Sequence, residues 1–300
     1  MSEKKIIARV FGGIGNQLFI YAAARRLSLK TKSILVLDII TGFENDFLYK
    51  RNFQLNHFSI KCRYATDNEQ LKPFSKIRRF LLRYFNMILP VKYKTYLVQN
   101  GVYFDDRLLN ITPSKYLYTE GYWQSEKYFK DIESILRKEL KIIPPEDETN
   151  LNLASKIARH ESVAIHFRFF DKVYQENNGN NISLNYYLKA ISYIENINPN
   201  VHYFIFSDDP IAAYKVLNLP EDKVTYVSNN KGDENSYADL WLMTLCKHFI
   251  IANSTFSWWG AWLSNNPYKI VIAPEIILNL KNSVTAWGFD GLIPREWVKI

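Results

Sequence analysis

At 300 residues, with 47% apolar content and no low-complexity tract, the chain can bury one large core or two of ordinary size. Its two cysteines, Cys62 and Cys246, exclude a disulfide framework and make a reducing cytoplasm the expected compartment. The net charge of +8 comes without a nucleic-acid-binding motif, the opening "MSEKKIIARVFGG" has no signal-peptide core, and no run reaches the ~18 apolar residues of a membrane span.

In chain order, "KIIARVF" and "SILVLD" read as strands flanking a helix over about 16–30. Arg25, Arg26 and Lys30 lie toward the end of that helix, where cations suit the dipole. From Lys72 to Lys94 the chain carries seven basic residues and no acidic one, interleaved with Phe, Leu, Tyr and Ile. That stretch is either a basic amphipathic surface for the anionic head groups of a membrane or a solvated helix packed on the domain. A strand near "KYLYTE" and one helix through "SEKYFKDIESILRKEL" follow, and "IIPPEDETN" (142–150) reads as a linker.

The second half is more regular. Strands are expected at "SVAIHFR", "VHYFIFS", "KVTYV", "HFIIAN" and "KIVIAP". Ser183 caps a helix whose apolar stripe is Leu184, Tyr187, Leu188, Ile191 and Ile194. Further helices cover about 235–246 and begin near Ser254. The pattern is α/β, with two Rossmann-like doubly wound domains, residues 1–150 and 151–300, facing across a cleft. The last residues are candidates to return to the N-terminal domain.

Chemistry concentrates where strands end. "GGIGNQ", Gly12 to Gln17, joins a strand to a helix, as backbone approach to phosphate requires, and Asn16 and Gln17 point to a polar ligand. Asp38 ends the next strand at the distance of a dinucleotide ribose contact, but Leu18 stands where that fingerprint needs glycine or alanine. Strand alternation puts Val163, Ile165, Phe167 and Phe169 on one face, and Ala164, His166 and Arg168 on the other. Arg168 can clamp a phosphate with two hydrogen bonds. In "FSDDP", Asp208 and Asp209 are either metal ligands or caps of the helix that Pro210 begins. In "ANSTFSWWGAWL", Ser254, Thr255 and Ser257 open a helix as an anion site would, while Trp258, Trp259 and Trp262 fall at core spacing.

"GGIGNQLF", "IHFR" with Asp171, "IFSDD", "DLWLMTLCKHFIIANSTFSWWGAWL" and "PREWVKI" cover nearly the whole chain and together resemble bacterial α-1,2-fucosyltransferases. The resemblance implies a GT-B fold with an acceptor-side N-terminal domain and a GDP-sugar-binding C-terminal domain. It implies inverting transfer from GDP-L-fucose to the 2-hydroxyl of a β-galactoside, a galactose-terminated and lipid-linked oligosaccharide of a bacterial surface glycan. No metal cofactor is expected, and peripheral contact with an anionic membrane would place the protein at the inner face of the plasma membrane.

By position, the resemblance assigns Arg168 to the β-phosphate, His166 and Asp239 to the guanosine, and Ser254 and Thr255 to the pyrophosphate. Asn16 would approach the same phosphates from the other domain. Gly13, Gly15, Ser207, Asp208, Asn253 and Ser257 complete the implied donor site. Asp171 is the implied catalytic base, with Glu176 as alternative, because "RFFDKVYQE" also resembles the α-1,6-fucosyltransferase pattern. The family motif His-x-Arg-Arg-Gly-Asp-Tyr is altered here to Phe169, Phe170 and Lys172 at its second arginine, glycine and tyrosine. That departure keeps a second reading open, a catalytically silent GDP-sugar- or glycan-binding protein.

Overall fold

The structure is a computed structural model that describes residues 3–47, 49–170, 180–278, 281, 283 and 285–300. The chain divides into two compact units, Met1–Lys141 and Ile142–Ile300.

The first unit contains β1 (Lys5–Arg9), α1 (Ile14–Thr31), β2 (Ile34–Asp38), β3 (Arg63–Tyr64), α2 (Ser75–Ile88), β4 (Tyr96–Val98), α3 (Arg107–Asn110), β5 (Tyr116–Glu120) and α4 (Glu133–Glu139). All pairings in its sheet are parallel, in the order β3-β2-β1-β5-β4. Consecutive residues Ile6, Ile7 and Ala8 are buried, as a strand covered on both faces requires. Helix α1 is enclosed almost all round, with Leu18, Phe19, Tyr21, Ala22 and Ala23 buried.

The glycine turn after β1 is held from inside the protein. Gly12 has φ +80°, open to glycine without strain. Gln17 is fully buried; its Nε2 donates to the carbonyls of Gly12 (2.9 Å) and Asn52 (2.8 Å), and its Oε1 accepts from Gln54 N (2.9 Å). The expectation that Gln17 faces a ligand is therefore corrected: its amide is used by backbone groups of the turn and the following loop.

A second correction concerns "SEKYFKDIESILRKEL". It is not one helix but two 3₁₀ turns, Glu126–Tyr128 and Lys130–Ile132, ahead of the short α4. Tyr128 and Phe129 are adjacent and both buried, and the Tyr128 hydroxyl accepts from Asp105 N (2.5 Å). Burying neighbouring rings on one surface conflicts with the ~100° rotation per residue of an α-helix.

The second unit contains α5 (Glu148–Arg159), β6 (Glu161–Phe167), α6 (Leu184–Ile197), β7 (Val201–Ser207), α7 (Pro210–Val216), β8 (Val224–Val227), α8 (Ser236–Leu245), β9 (His248–Ile250), α9 (Thr255–Leu263), β10 (Val271–Ala273) and β11 (Val298–Lys299). Its parallel sheet runs β11-β10-β9-β6-β7-β8. Asp147 caps α5, accepting from Asn150 N at 2.9 Å, so the acidic end of the 142–150 segment already belongs to a helix.

The final residues extend this second sheet, Ile272 and Ala273 pairing with Val298 and Lys299. Ser183 caps α6 as expected, but the buried stripe is rotated to Tyr186, Tyr187, Ala190, Ile191 and Ile194, and Leu188 is exposed. The cause is Tyr186, whose hydroxyl donates to the carbonyls of Ile251 (2.7 Å) and Ile272 (2.9 Å). The three tryptophans of α9 are core residues, with Trp258 and Trp259 fully enclosed.

Gln17→Ala removes a fully buried amide with its three hydrogen bonds to backbone groups and should lower the unfolding free energy by roughly 2–4 kcal/mol. Urea denaturation of parent and variant reads this; a loss below ~0.5 kcal/mol, the scale of ordinary surface substitutions, would remove Gln17 from its role as the clamp of the turn.

Candidate functional site

In each unit the chain reverses its winding once. In the second, it runs from β6 to β7 to β8 on one side, then starts again with β9 on the other side of β6. Loops leaving the carboxyl ends of β6 and β9 diverge there, which opens the crevice where ligands of such sheets sit. The β6 loop supplies Arg168, the β9 loop and the first turn of α9 supply Asn253 to Ser257, and the end of the neighbouring β7 with the residue after it supplies Ser207 and Asp208.

Arg168 follows the last residue of β6 and is partly exposed. Its Nη1 lies 2.8 Å from Asp208 Oδ2, and its guanidinium stands over the Phe170 ring at 5.2 Å. The other Asp208 oxygen accepts from Phe169 N (3.0 Å), so Asp208 ties the β6 loop to the end of β7 and orients the cation. Burial holds the Asp208 carboxyl above its ordinary pKa, an effect that Arg168 opposes. Asp209 is a cap: its Oδ1 accepts from Ala212 N at 2.9 Å. Ser207 Oγ accepts from Asp209 N at 3.0 Å, completing the turn into α7.

Phe169 faces away from Arg168, as alternation predicts, and packs on the core cluster of Val163, Ile165 and Phe167. The altered motif thus puts one phenylalanine into the core and the other beneath the guanidinium. Phe170 N donates to Asn181 Oδ1 (2.7 Å), which fixes the loop just past the arginine.

His166 points to the opposite face, buried beside the Phe256 ring at 5.3 Å, with Nδ1 3.0 Å from Ser257 Oγ. Ser257 Oγ also donates to the Ser254 carbonyl (3.3 Å). When the hydroxyl proton goes to Ser254, Nδ1–H donates to Oγ and Nε2 is left as an acceptor. Burial, then the nearby Arg168 charge, lowers the His166 pKa to about 3, so the ring is neutral at physiological pH. Ser254 caps α9, its hydroxyl accepting from Phe256 N at 3.3 Å. Thr255 is half-buried at the first turn of the helix. Asn253 is fully buried; its Nδ2 donates to Asn180 O (2.9 Å), and its Oδ1 has no hydrogen-bond partner among the described residues.

Asp239 belongs to a different polar group. It accepts from Asn230 Nδ2 (2.7 Å), and Asn230 exchanges amide bonds with Asn150 at 2.9 Å each way. Burial raises the Asp239 carboxyl to about 7, so that it is about half protonated at neutral pH. No sequence signal marked Asn230 or Asn150.

Gly13, Gly15 and Asn16 lie in the first unit, at its own reversal point between β1 and β5. Gly13 precedes α1 without a side-chain cap, Gly15 is buried in the first turn, and Asn16 Oδ1 accepts from Gln124 Nε2 (2.8 Å). A side chain at Gly13 would place its Cβ 3.6 Å from Arg51 Nε, so a guanidinium stands beside the open amides of this helix. Arg51 lies in irregular sequence with no periodicity to single it out. Asp38 is committed to its own loop, accepting from Ile40 N, Thr41 N and the Thr41 hydroxyl, which removes it as a ribose contact. Asp171 and Glu176 lie outside the described residues. Among the described residues, no three His, Cys, Asp or Glu side chains gather as they would around a metal ion.

Two doubly wound parallel sheets in one chain form a GT-B-like architecture. The same fold occurs in the α-1,6-fucosyltransferase NodZ of Bradyrhizobium, at TM-score 0.52 and 15% identity over 95% of this chain and 98% of that one. Residues 6–283 match the profile of Glycosyl transferase family 11, and the chain belongs to that family. It is 30% identical to an α-1,2-colitosyltransferase of Escherichia coli, over 98% of both chains. It is also 34% identical to the Escherichia coli O-antigen biosynthesis glycosyltransferase WbnK, over 88% of this chain and 92% of that one.

His166 gives a test of the site's electrostatics. A histidine whose folded pKa is depressed contributes stability that is present above its unfolded value of 6.5 and lost as pH falls toward about 3. Between pH 6 and 4 this adds a slope of ~1.4 kcal/mol per pH unit, which His166→Gln should abolish. Asp239 works oppositely, losing its contribution as pH rises through about 7, and cancels in the difference between parent and variant. Parallel unfolding curves for the two proteins across that window would show His166 to be solvated.

Proposed function

We propose that this family 11 glycosyltransferase moves L-fucose, with inversion, from GDP-L-fucose to the 2-hydroxyl of a β-galactoside in a bacterial surface glycan. The observation that carries this reading is Arg168 at the reversal point between β6 and β9, beside the N-terminus of α9. An arginine that forks onto phosphate and a helix end with outward amides both favour an anion. In the reaction the acceptor oxygen attacks the anomeric carbon as the bond to the β-phosphate oxygen breaks. Charge grows on the departing GDP, so a cation held at that phosphate lowers the barrier.

Arg168 fills that role, positioned by Asp208 and Phe170. His166 stays neutral, which leaves one cation rather than two beside the diphosphate and offers Nε2 to a hydrogen-bond donor such as the guanine edge or ribose. Asp239, Ser207, Asn253, Ser254, Thr255 and Ser257 complete the donor side within the second unit, and Gly13, Gly15 and Asn16 are proposed as further donor contacts. Arginine and helix amides neutralise the diphosphate, so no metal is required. A second donor is favoured by the colitosyltransferase relative, because colitose is the 3-deoxy counterpart of L-fucose. The 3-position contacts decide between the two sugars, and parallel assays with GDP-L-fucose and GDP-colitose read that choice.

The purified chain, with GDP-L-fucose and a galactose-terminated acceptor in excess EDTA, should release GDP and form the 2-linked product. Arg168→Ala should stay folded and lose about two to three decades of turnover. Failure to turn over either donor, with GDP still bound, would leave a silent nucleotide-sugar-binding protein; activity that vanishes in EDTA and returns with manganese would overturn the metal-free reading.

The hydroxyl proton must pass to a base. Asp171, just beyond the Arg168 loop, is the proposed acceptor, and Glu176 is the alternative. Asp171→Asn or Glu176→Gln should abolish transfer while GDP-fucose affinity, measured by titration, stays within about threefold of the parent. A variant that loses affinity and turnover together positions the donor instead, and two fully active variants would remove both residues from the role.

A further inference from the structure

Helix α2 is amphipathic in the wrong direction for a helix that only covers a sheet. Such helices bury their apolar stripe. Here the buried stripe is Ser75, Arg79 and Asn86, with Arg83 half-buried beside them. Arg79 donates to Thr41 Oγ1 (2.9 Å) and Ser75 Oγ (3.1 Å) and lies 3.7 Å from Asp38. Arg83 forks onto Glu120 at 2.6 and 3.0 Å, and Asn86 Oδ1 accepts from Thr95 N and Tyr96 N at 2.7 and 2.9 Å. The helix is thus bolted by polar side chains to the ends of β2 and β5 and the start of β4.

Its other face is apolar and exposed. Ile77, Phe80, Tyr84, Phe85, Met87 and Ile88 all stand in the open, Phe80 at 65% and Ile88 at 82%. At ~100° per residue, Ile77, Tyr84 and Ile88 run along the middle of that face, with Lys76 and Arg78 on its two margins. Lys92 follows in the next turn. Lys76 donates to Asn45 Oδ1 and Arg78 to the Lys72 carbonyl, and neither pairs with a carboxylate among the described residues. An apolar strip of this extent marks a surface made for a partner.

We propose that α2 docks the protein onto a membrane rich in anionic lipid. The helix axis lies in the interface, the apolar face enters the acyl boundary, and Lys76, Arg78 and Lys92 meet lipid phosphates. Charge complementarity selects this occupant over a second copy of the chain. Two α2 faces brought together would appose their marginal cations, and the helix carries no carboxylate to pair with them. The inference stands on the helix alone and is independent of the transfer reaction. If that reaction is as proposed, docking would bring a lipid-linked acceptor to a protein with no membrane-spanning helix among its described residues.

Vesicle flotation of the purified chain tests it, with phosphatidylcholine vesicles with and without phosphatidylglycerol, at low and high salt. The parent should float with the anionic vesicles at low salt, bind neutral ones at least about tenfold more weakly, and leave the anionic ones as salt rises. Phe80→Asp with Ile88→Asp should lose about tenfold or more of the binding, and Lys76→Ser with Arg78→Ser should fall to the level of neutral vesicles. All four residues are exposed, so circular dichroism and melting temperature should match the parent. No binding to anionic vesicles, equal binding to neutral ones, or parental binding by the Phe80/Ile88 variant would overturn the proposal. So would a parent dimer in sedimentation that the Phe80/Ile88 variant dissociates, which would assign the face to a second copy.

Discussion

A parallel strand cannot return to its neighbour except by crossing a face of the sheet, and this constraint organises each half of the molecule. Both faces must be covered, so stretches such as Ile6–Ala8 and Val163–Ile165 are apolar on both sides and carry nothing for chemistry along their length. Function is displaced to the carboxyl ends, and among these to the place where winding reverses. In the second unit that place lies between β6 and β9, and the polar residues of the chain's most informative motifs converge there. Arg168 and Asp208 come from strands that are adjacent in the sheet but 40 positions apart in sequence; their 2.8 Å contact depends on the register that sets His166 against Phe206 and Phe167 against Ser207.

Much of this was legible because the relevant signals are local. Strand alternation separated Phe169 from Arg168, the serine before α9 announced its cap, and tryptophans at helical spacing announced a core. What escaped was non-local. Gln17 reads as a ligand contact until Asn52 and Gln54 are folded against it, and Asp38 reads as a ribose contact until Thr41 turns back onto it. Leu188 fits an apolar stripe by spacing, but the Tyr186 hydroxyl finds two carbonyls on β9 and β10 and rotates the helix. Asn150 and Asn230, the partners of Asp239, left no mark, since asparagines in loops and helix starts have ordinary capping uses.

The basic aromatic stretch shows the same division from the other side. Its composition announced an amphipathic helix without saying which face turns inward. That is settled by Glu120, Asp38 and Thr95, which no inspection of residues 72–94 could supply. A buried carboxylate at the end of β5, Glu120, draws Arg9 and Arg83 together and takes a hydrogen bond from the Tyr96 hydroxyl at 2.6 Å. Their charges and the phenol hold Glu120 below its ordinary pKa despite burial. Buried charges need such partners, so the polar side of α2 is fixed inward and its apolar residues have nowhere to go but out.

Electrostatics at the reversal point follows from unequal burial of similar groups. His166 and Arg168 leave the same face of one strand, yet His166 is sealed under Phe256 and neutral, whereas Arg168 stays at the surface and charged. A protonated His166 would sit in the field of that guanidinium, while Asp208 is already turned to Arg168. The same logic acts in reverse on Asp239, which burial without a cation pushes to about 7. His166 is thereby uncharged near neutral pH, and the Arg168 guanidinium at the end of β6 is tethered on one side by Asp208 and backed by the Phe170 ring. That arrangement suits an anion that arrives, gains charge and departs: the cation is fixed in place before the anion comes, and Asp208 receives it again afterwards.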